Sequence, residues 1–162
     1  MVAIDNSACS SRALEESIRE AALRRCCLEI LHVVDYGFLK HDQHLLDVSS
    51  IRRDRAAAGH ALLQTAATRA NANQLEHSVQ LIDDMATLGD VAGRILKYVR
   101  DTCPALVVVG THGKTGLTRA VLGSVADQLV RHSPVPVLVV RQDMQPETLR
   151  HSTVPGAEPI RY

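Results

Sequence analysis

The sequence predicts an α/β fold, a single open five-stranded parallel sheet with helices on both faces. Three observations lead there. Short apolar runs alternate with helically spaced apolar residues in the order β-α-β-α-β-α-β-α-β. Strands separated by helical crossovers are largely parallel, and those crossovers are right-handed in nearly all cases. The length, 162 residues, suits one domain, and no internal repeat marks a second.

Each element has its own signature. Val2 to Asp5 reads as a short buried strand. Ser10 or Ser11 offers a hydroxyl to cap the next helix, whose apolar face is Leu14, Ile18 and Ala21/Ala22. Leu28 to Val34 is a strand rich in β-branched residues. Asp35 to Ser50 is polar, irregular and long for a connection, as lids and partner contacts are. A helix follows from Arg52 to about Asn71, with Ala58, Leu62, Ala66 and Ala70 as its apolar stripe. His77 to Ile82 alternates like a strand. Asp90 caps a helix that buries Ala92, Ile95, Leu96 and Val99. Ala105 to Val109 is the most continuous apolar strand, as expected of one covered on both faces. Leu122, Ala126, Leu129 and Val130 mark a last helix, ended at Ser133-Pro134, and Val137 to Val140 is the final strand. Residues 1–141 form the expected domain, and 142–162, with three of the six prolines, the expected tail.

Composition excludes whole classes of function. Lys plus Arg and Asp plus Glu both number 18, and the chain has one Phe, three Tyr and no Trp. Such a chain lacks the basic stripe and the aromatic platforms of a nucleic-acid binder. Leu, Ile, Val and Phe clear the roughly 20% floor below which charged chains stay disordered. No apolar run approaches the roughly 20 residues that span a bilayer, and Met1 to Asp5 carries no signal-peptide pattern, so membrane insertion is not expected. The cysteines, at 9, 26, 27 and 103, form no C-x-x-C pair, which makes a reducing cytoplasm the expected compartment.

The chemistry concentrates where the Ala105–Val109 strand ends. Gly110-Thr111-His112-Gly113-Lys114-Thr115-Gly116 is glycine-dense, and Gly123-Ser124 opens the following helix. Ligands of open α/β sheets bind beyond the carboxyl ends of the strands. A glycine loop there presents bare amides and a helix N-terminus to an anion, and Ser124 adds a hydroxyl, so the pattern reads as a phosphate cradle. It is not a Walker A loop, because Val108 stands where that motif needs Gly. It is not a dinucleotide fingerprint either, since Asp5-Asn6-Ser7-Ala8 follows the first strand.

What remains is G-x2-G-x9-G-S, formed by Gly110, Gly113, Gly123 and Ser124 and continued by Val125 to Val140 with its proline-flanked last strand. Together with the opening Val2-Ala3-Ile4-Asp5-Asn6-Ser7 and the segment Leu31-His32-Val33-Val34-Asp35, this resembles the ATP-binding members of the universal stress protein family over about residues 1–141. The resemblance implies a Rossmann-like, adenine-nucleotide-binding fold and a nucleotide-dependent stress-response sensor. It implies that Gly110, Gly113, Gly123 and Ser124 hold phosphates and ribose, and that Asp5 bonds the nucleoside. Ala3, Ile4 and Val33 would line adenine, with Val109 and Val125 completing the pocket. ATP is the expected ligand, with AMP or ADP as alternatives and Mg²⁺ or Mn²⁺ bridging the phosphates. The family pattern Asp-Gly-Ser is Asp5-Asn6-Ser7 here, a mild change because Asn also tolerates left-handed geometry.

Other readings stand beside these. Asp5 could serve only as a turn former or helix cap. No nucleophile elbow surrounds Ser124 and no carboxylate pair has an acid–base spacing, so hydrolysis should be slow or absent. A weak ATPase or nucleotidyl-transferring enzyme, or a dimeric adaptor with a vestigial site, are the alternatives. His41, Asp42, His44 and Asp47 have metal-compatible spacing but read better as a solvated loop, so no metal site is assigned. Cys26 and Cys27 read as buried small hydrophobes. An edge position for Val137–Val140 would invite pairing with a second copy, a homodimer that the resemblance also implies, or else coverage by the C-terminal tail. The protein partner that would sense the nucleotide is not named by the sequence.

Overall fold

The computed structural model describes residues 1–40, 47–111 and 122–141. Five strands, β1 (Val2–Ala3), β2 (Leu28–Val33), β3 (His77–Ile82), β4 (Val107–Gly110) and β5 (Val137–Val140), form one parallel sheet in the order β3-β2-β1-β4-β5. The α/β expectation holds. The order reverses at β1, because the chain passes from β3 at one edge back across to β4; that reversal places the topological switch point between β1 and β4.

Among the described residues four α-helices cover the two faces: α1 (Ala8–Arg24), α2 (Val48–Ala72), α3 (Val91–Thr102) and α4 (Ser124–His132). On one side Ala13, Leu14 and Ile18 of α1 and Leu63, Ala66 and Ala70 of α2 pack against Val2, Ile30 and Val108. On the other, Ile95, Leu96 and Val99 of α3 and Ala126 and Leu129 of α4 pack against Ala3, Leu31, Val33, Val107 and Val109. Alternate strand residues thus feed opposite cores, as the pleat requires. A third cluster of Val34, Tyr36 and Leu39 surrounds the 3₁₀ turn Gly37–Lys40 beyond β2.

Several local expectations need correction. Ser7, not Ser10 or Ser11, caps α1: its Oγ accepts from the Ser10 amide at 3.1 Å, while Ser10 lies inside the helix and its own Oγ accepts from the Asp5 amide. α2 begins at Val48, four residues early, because Asp47 Oδ1 accepts from the amides of Ser49 and Ser50. Its buried stripe is Gly59, Leu63, Ala66, Ala67 and Ala70, so Ala58 is exposed and Leu62 only half-buried. Val130 is 52% exposed; it sits about a quarter-turn round α4 from the buried Ala126–Leu129 stripe. Cys26 and Cys27 are exposed, because a left-handed Arg25 ends α1 and leaves both in the turn ahead of β2. The Asp90 cap of α3 stands, with Oδ1 accepting from the Gly93 amide at 3.0 Å.

Candidate functional site

A crevice of about 740 Å³ opens at the carboxyl ends of the strands. Nine of the ten residues singled out by sequence line it: Ala3, Ile4, Asp5, Val33, Val109, Gly110, Gly123, Ser124 and Val125. Gly113, the tenth, lies outside the described residues, as do His41, Asp42 and His44.

The β1 end builds one wall. Beyond Ile4, whose amide bonds the Leu31 carbonyl at 2.8 Å, the chain turns sharply into α1. Asp5 drives that turn: its Oδ1 accepts from the Ser7 amide at 3.0 Å and from the Ser7 hydroxyl. One carboxylate oxygen is thereby committed to the backbone, in an Asx turn that fixes the side chain's direction.

The β4 end builds the floor. Gly110 is a glycine for a packing reason: a Cβ there would lie 2.8 Å from the carbonyl carbon of Cys9 and 2.9 Å from its Cβ. The strand can end against the first turn of α1 only without a side chain. Thr111, 6% exposed, follows, and its carbonyl accepts from the Gly123 amide at 2.8 Å, bringing the start of α4 beside the end of β4.

α4 supplies the electrostatics. Gly123 is its N-cap residue, in extended geometry at φ −62°, and carries no side chain to cap the helix. The amides of the first turn therefore face the crevice mouth without a side-chain acceptor, at the positive end of the helix dipole. Ser124 is exposed at this end, and half-buried Val125 lies beside it. Apolar walls of Ala3, Val33 and Val109 stand opposite. An anion at α4 and a flat apolar body against those strand ends would both be accommodated.

Sequence reasoning missed several lining residues. His32 borders the crevice with Nδ1 2.7 Å from the Ile4 carbonyl, so that nitrogen carries the hydrogen in the neutral ring. The strand's alternation, two residues on from Ile30, would have placed it on that face. Arg55, Gly59, Leu62 and Arg69 of α2 also line it, legible as i, i+4, i+7, i+14 on one helix side. Beyond the mouth, Tyr36 is fully buried and donates its hydroxyl to Asp83 Oδ1 at 2.5 Å, and Asp83 Oδ2 accepts from Arg52 Nε at 3.1 Å. Burial first, then the Asp83 carboxylate, pushes the Tyr36 pKa up to about 12. Among the described residues no group of three His, Cys, Asp or Glu is placed to hold a metal ion, and Asp47 serves as the α2 cap.

Comparison with known proteins places this geometry. The universal stress protein family model matches residues 1–141. Universal stress protein YxiE of Bacillus subtilis is 31% identical over 150 residues, 87% of this chain and 97% of that protein. A crystal structure of a universal stress family protein from Burkholderia pseudomallei superposes with a TM-score of 0.68 at 27% identity, covering 86% of this chain and 93% of that one. Two further neighbours share the fold at 20% identity: the universal stress protein of Archaeoglobus fulgidus in complex with dAMP (TM-score 0.59, 86% and 94% covered) and an Arabidopsis thaliana family protein with AMP bound (0.58, 88% and 91%). The chain belongs to the universal stress protein family.

Proposed function

We propose that this protein binds an adenine nucleotide in the crevice, ATP before AMP or ADP, and that occupancy is a stress-response signal read by a protein partner. The observation that carries the reading is the uncapped N-terminus of α4 beside the ends of β1 and β4, with apolar strand ends opposite. Phosphate oxygens would accept from the first-turn amides and from Ser124, while Ala3, Val33 and Val109 would cover the base. The second oxygen of Asp5 suits a ribose hydroxyl. The solved neighbours with AMP and dAMP support the adenine component. Mg²⁺ or Mn²⁺ would be carried by the phosphates, which suits a cation that keeps several waters.

Hydrolysis is expected to be slow or absent. Asp5 has one oxygen held by Ser7 and gives the other to the ribose in this reading, so it is not free as a base for an attacking water. A homodimer through the edge strand β5 accompanies this reading, because Val137 to Val139 are only half-buried among the described residues. The test is calorimetry with ATP and Mg²⁺, with mass spectrometry of whatever co-purifies. Gly123→Val, whose branched side chain would stand at the helix entrance, should abolish nucleotide binding and leave the circular dichroism spectrum unchanged. Turnover removed by a single polar substitution in the crevice would favour the enzyme alternative; no binding at all would leave an adaptor.

A further inference from the structure

The crevice has more wall than the proposed nucleotide uses. Ala3, Val33, Val109 and Val125 belong to the α3/α4 side, whereas a second lobe opens on the opposite face of the sheet, between α1 and α2. Two helical stripes form its sides. α1 contributes Ser11 and Leu14, and further along Ile18; α2 contributes Ala58, Leu62, Ala66 and Arg69, spaced i, i+4, i+8, i+11 along one face. Leu14, Ile18 and Ala66 are buried and Leu62 is half-buried, so the groove between the helices has an apolar floor. A further hollow of about 340 Å³ continues it past Ile18 to Ala72 and Asn73, and Arg69 borders both spaces. From Arg55 to Arg69 the groove follows α2 for about 21 Å at 1.5 Å per residue.

Charge in this groove is sparse and of one sign where it is uncommitted. Arg12 and Arg19 hold Glu15 and Glu16 at 3.0 and 2.5 Å. Arg55 lies over the Phe38 ring, 4.7 Å from its centre. The Arg69 guanidinium has no ion pair or hydrogen bond among the described residues, and Arg69 shares the wall of the crevice with Ala66 and that of the further hollow with Ala72. A long, narrow aliphatic slot with one uncommitted planar cation fits a single negative head on a thin hydrocarbon body. It fits a second nucleotide poorly, since a polyphosphate would call for several cations where the groove offers one.

From this geometry we infer that the α1/α2 groove is a second ligand site, taking a carboxylate on an unbranched hydrocarbon chain. The chain lies against Leu14, Ile18, Leu62 and Ala66, and Arg69 receives the head. The inference does not depend on nucleotide binding: Leu14, Ile18, Leu62, Ala66 and Arg69 lie across the sheet from Ala3, Val33 and Val109, and of the residues named for adenine Ile4 alone packs on the groove's side.

The probes are decanoate and decan-1-ol, which share a chain and differ in charge, each titrated below its aggregation threshold. Binding is followed by calorimetry and by backbone amide shifts. Decanoate should bind about tenfold more tightly than decanol, with shifts confined to Ser11–Ile18 and Ala58–Asn73. Arg69→Gln, an exposed substitution, should lower decanoate affinity to the decanol level and leave decanol unchanged. Thr65→Phe, also exposed and on the groove, should weaken both. Saturating ATP and Mg²⁺ should leave decanoate binding intact. Equal affinity for the two probes, indifference to both substitutions, displacement by nucleotide, or binding only to vesicles of anionic phospholipid would each overturn the assignment. Failure of the protein to bind ATP would leave this test unaffected and overturn only the nucleotide reading.

Discussion

Gly110 shows how one residue can answer two readings at once. The glycine was legible as a phosphate-loop position, yet its immediate cause is the approach of Cys9 within 3 Å of where a Cβ would stand. Gly110→Ala must push the first turn of α1 away from β4, which should cost about 1–3 kcal/mol, read as a lower urea midpoint at unchanged slope. Asp5 is similar: the bland reading as a turn former holds for one oxygen, and the other is left for the nucleoside in the proposal. Thr87 is the opposite case. Its Oγ1, on a residue 1% exposed, is the buried side-chain polar atom that finds no partner among the described residues. Thr87→Val should therefore raise stability by up to about 1 kcal/mol in the same urea experiment. From the residues themselves the informative types were glycines at strand ends, the serine opening α4 and a carboxylate after a strand, whereas Ala3, Ile4, Val33, Val109 and Val125 came only from the family resemblance. His32 and Arg69 escaped because their types are ordinary and only three-dimensional neighbours make them part of a wall.

Elements were legible where the hydrophobic period was long and unbroken. β3, β5 and α3 fall where the apolar pattern places them, with the Asp90 cap included. Boundaries failed where side-chain hydrogen bonds, invisible in a period, decide them: Ser7 at α1 and Asp47 at α2. The alanine-rich α2 also misled, since alanines on every side let the eye choose Ala58 and Leu62 where packing chose Gly59 and Leu63. The interlock of β2, β3 and α2 through Tyr36, Asp83 and Arg52 was not foreseen, because its members are far apart in sequence. It makes a pH-dependent contribution. The folded pKa of Tyr36, about 12, lies above its ordinary value near 10, as does that of Tyr98, which burial and the Glu29 carboxylate also push to about 12. A group whose folded pKa is raised adds stability that is complete below the unfolded pKa and fades as pH climbs through the folded one. Unfolding free energy should thus fall between about pH 10 and 12. The Tyr36→Phe, Tyr98→Phe double variant should show a shallower alkaline decline, measured by urea titration at each pH.

At the scale of the whole molecule, the order β3-β2-β1-β4-β5 decides where anything can bind, because the reversal beside β1 leaves strand ends uncovered there. Counting crossovers predicted a parallel five-stranded sheet; the strand order and its reversal came only with the structure. A ligand bound only by the folded chain stabilises it by mass action, about 2.7 kcal/mol at a hundredfold excess over Kd. For a domain of this size, ATP with Mg²⁺ should raise the melting temperature by about 5–10 °C, and Gly123→Val should lose that increment in differential scanning calorimetry.

The hydrogen bond from the Gly123 amide to the Thr111 carbonyl has a consequence for how firmly the site is held. It works as a clasp: the entry to α4 is fastened to the end of β4, so the helix's bare amides and the strand floor keep one spacing. A ligand lodged between them would meet a preset gap, and little freedom would remain to be lost on its arrival.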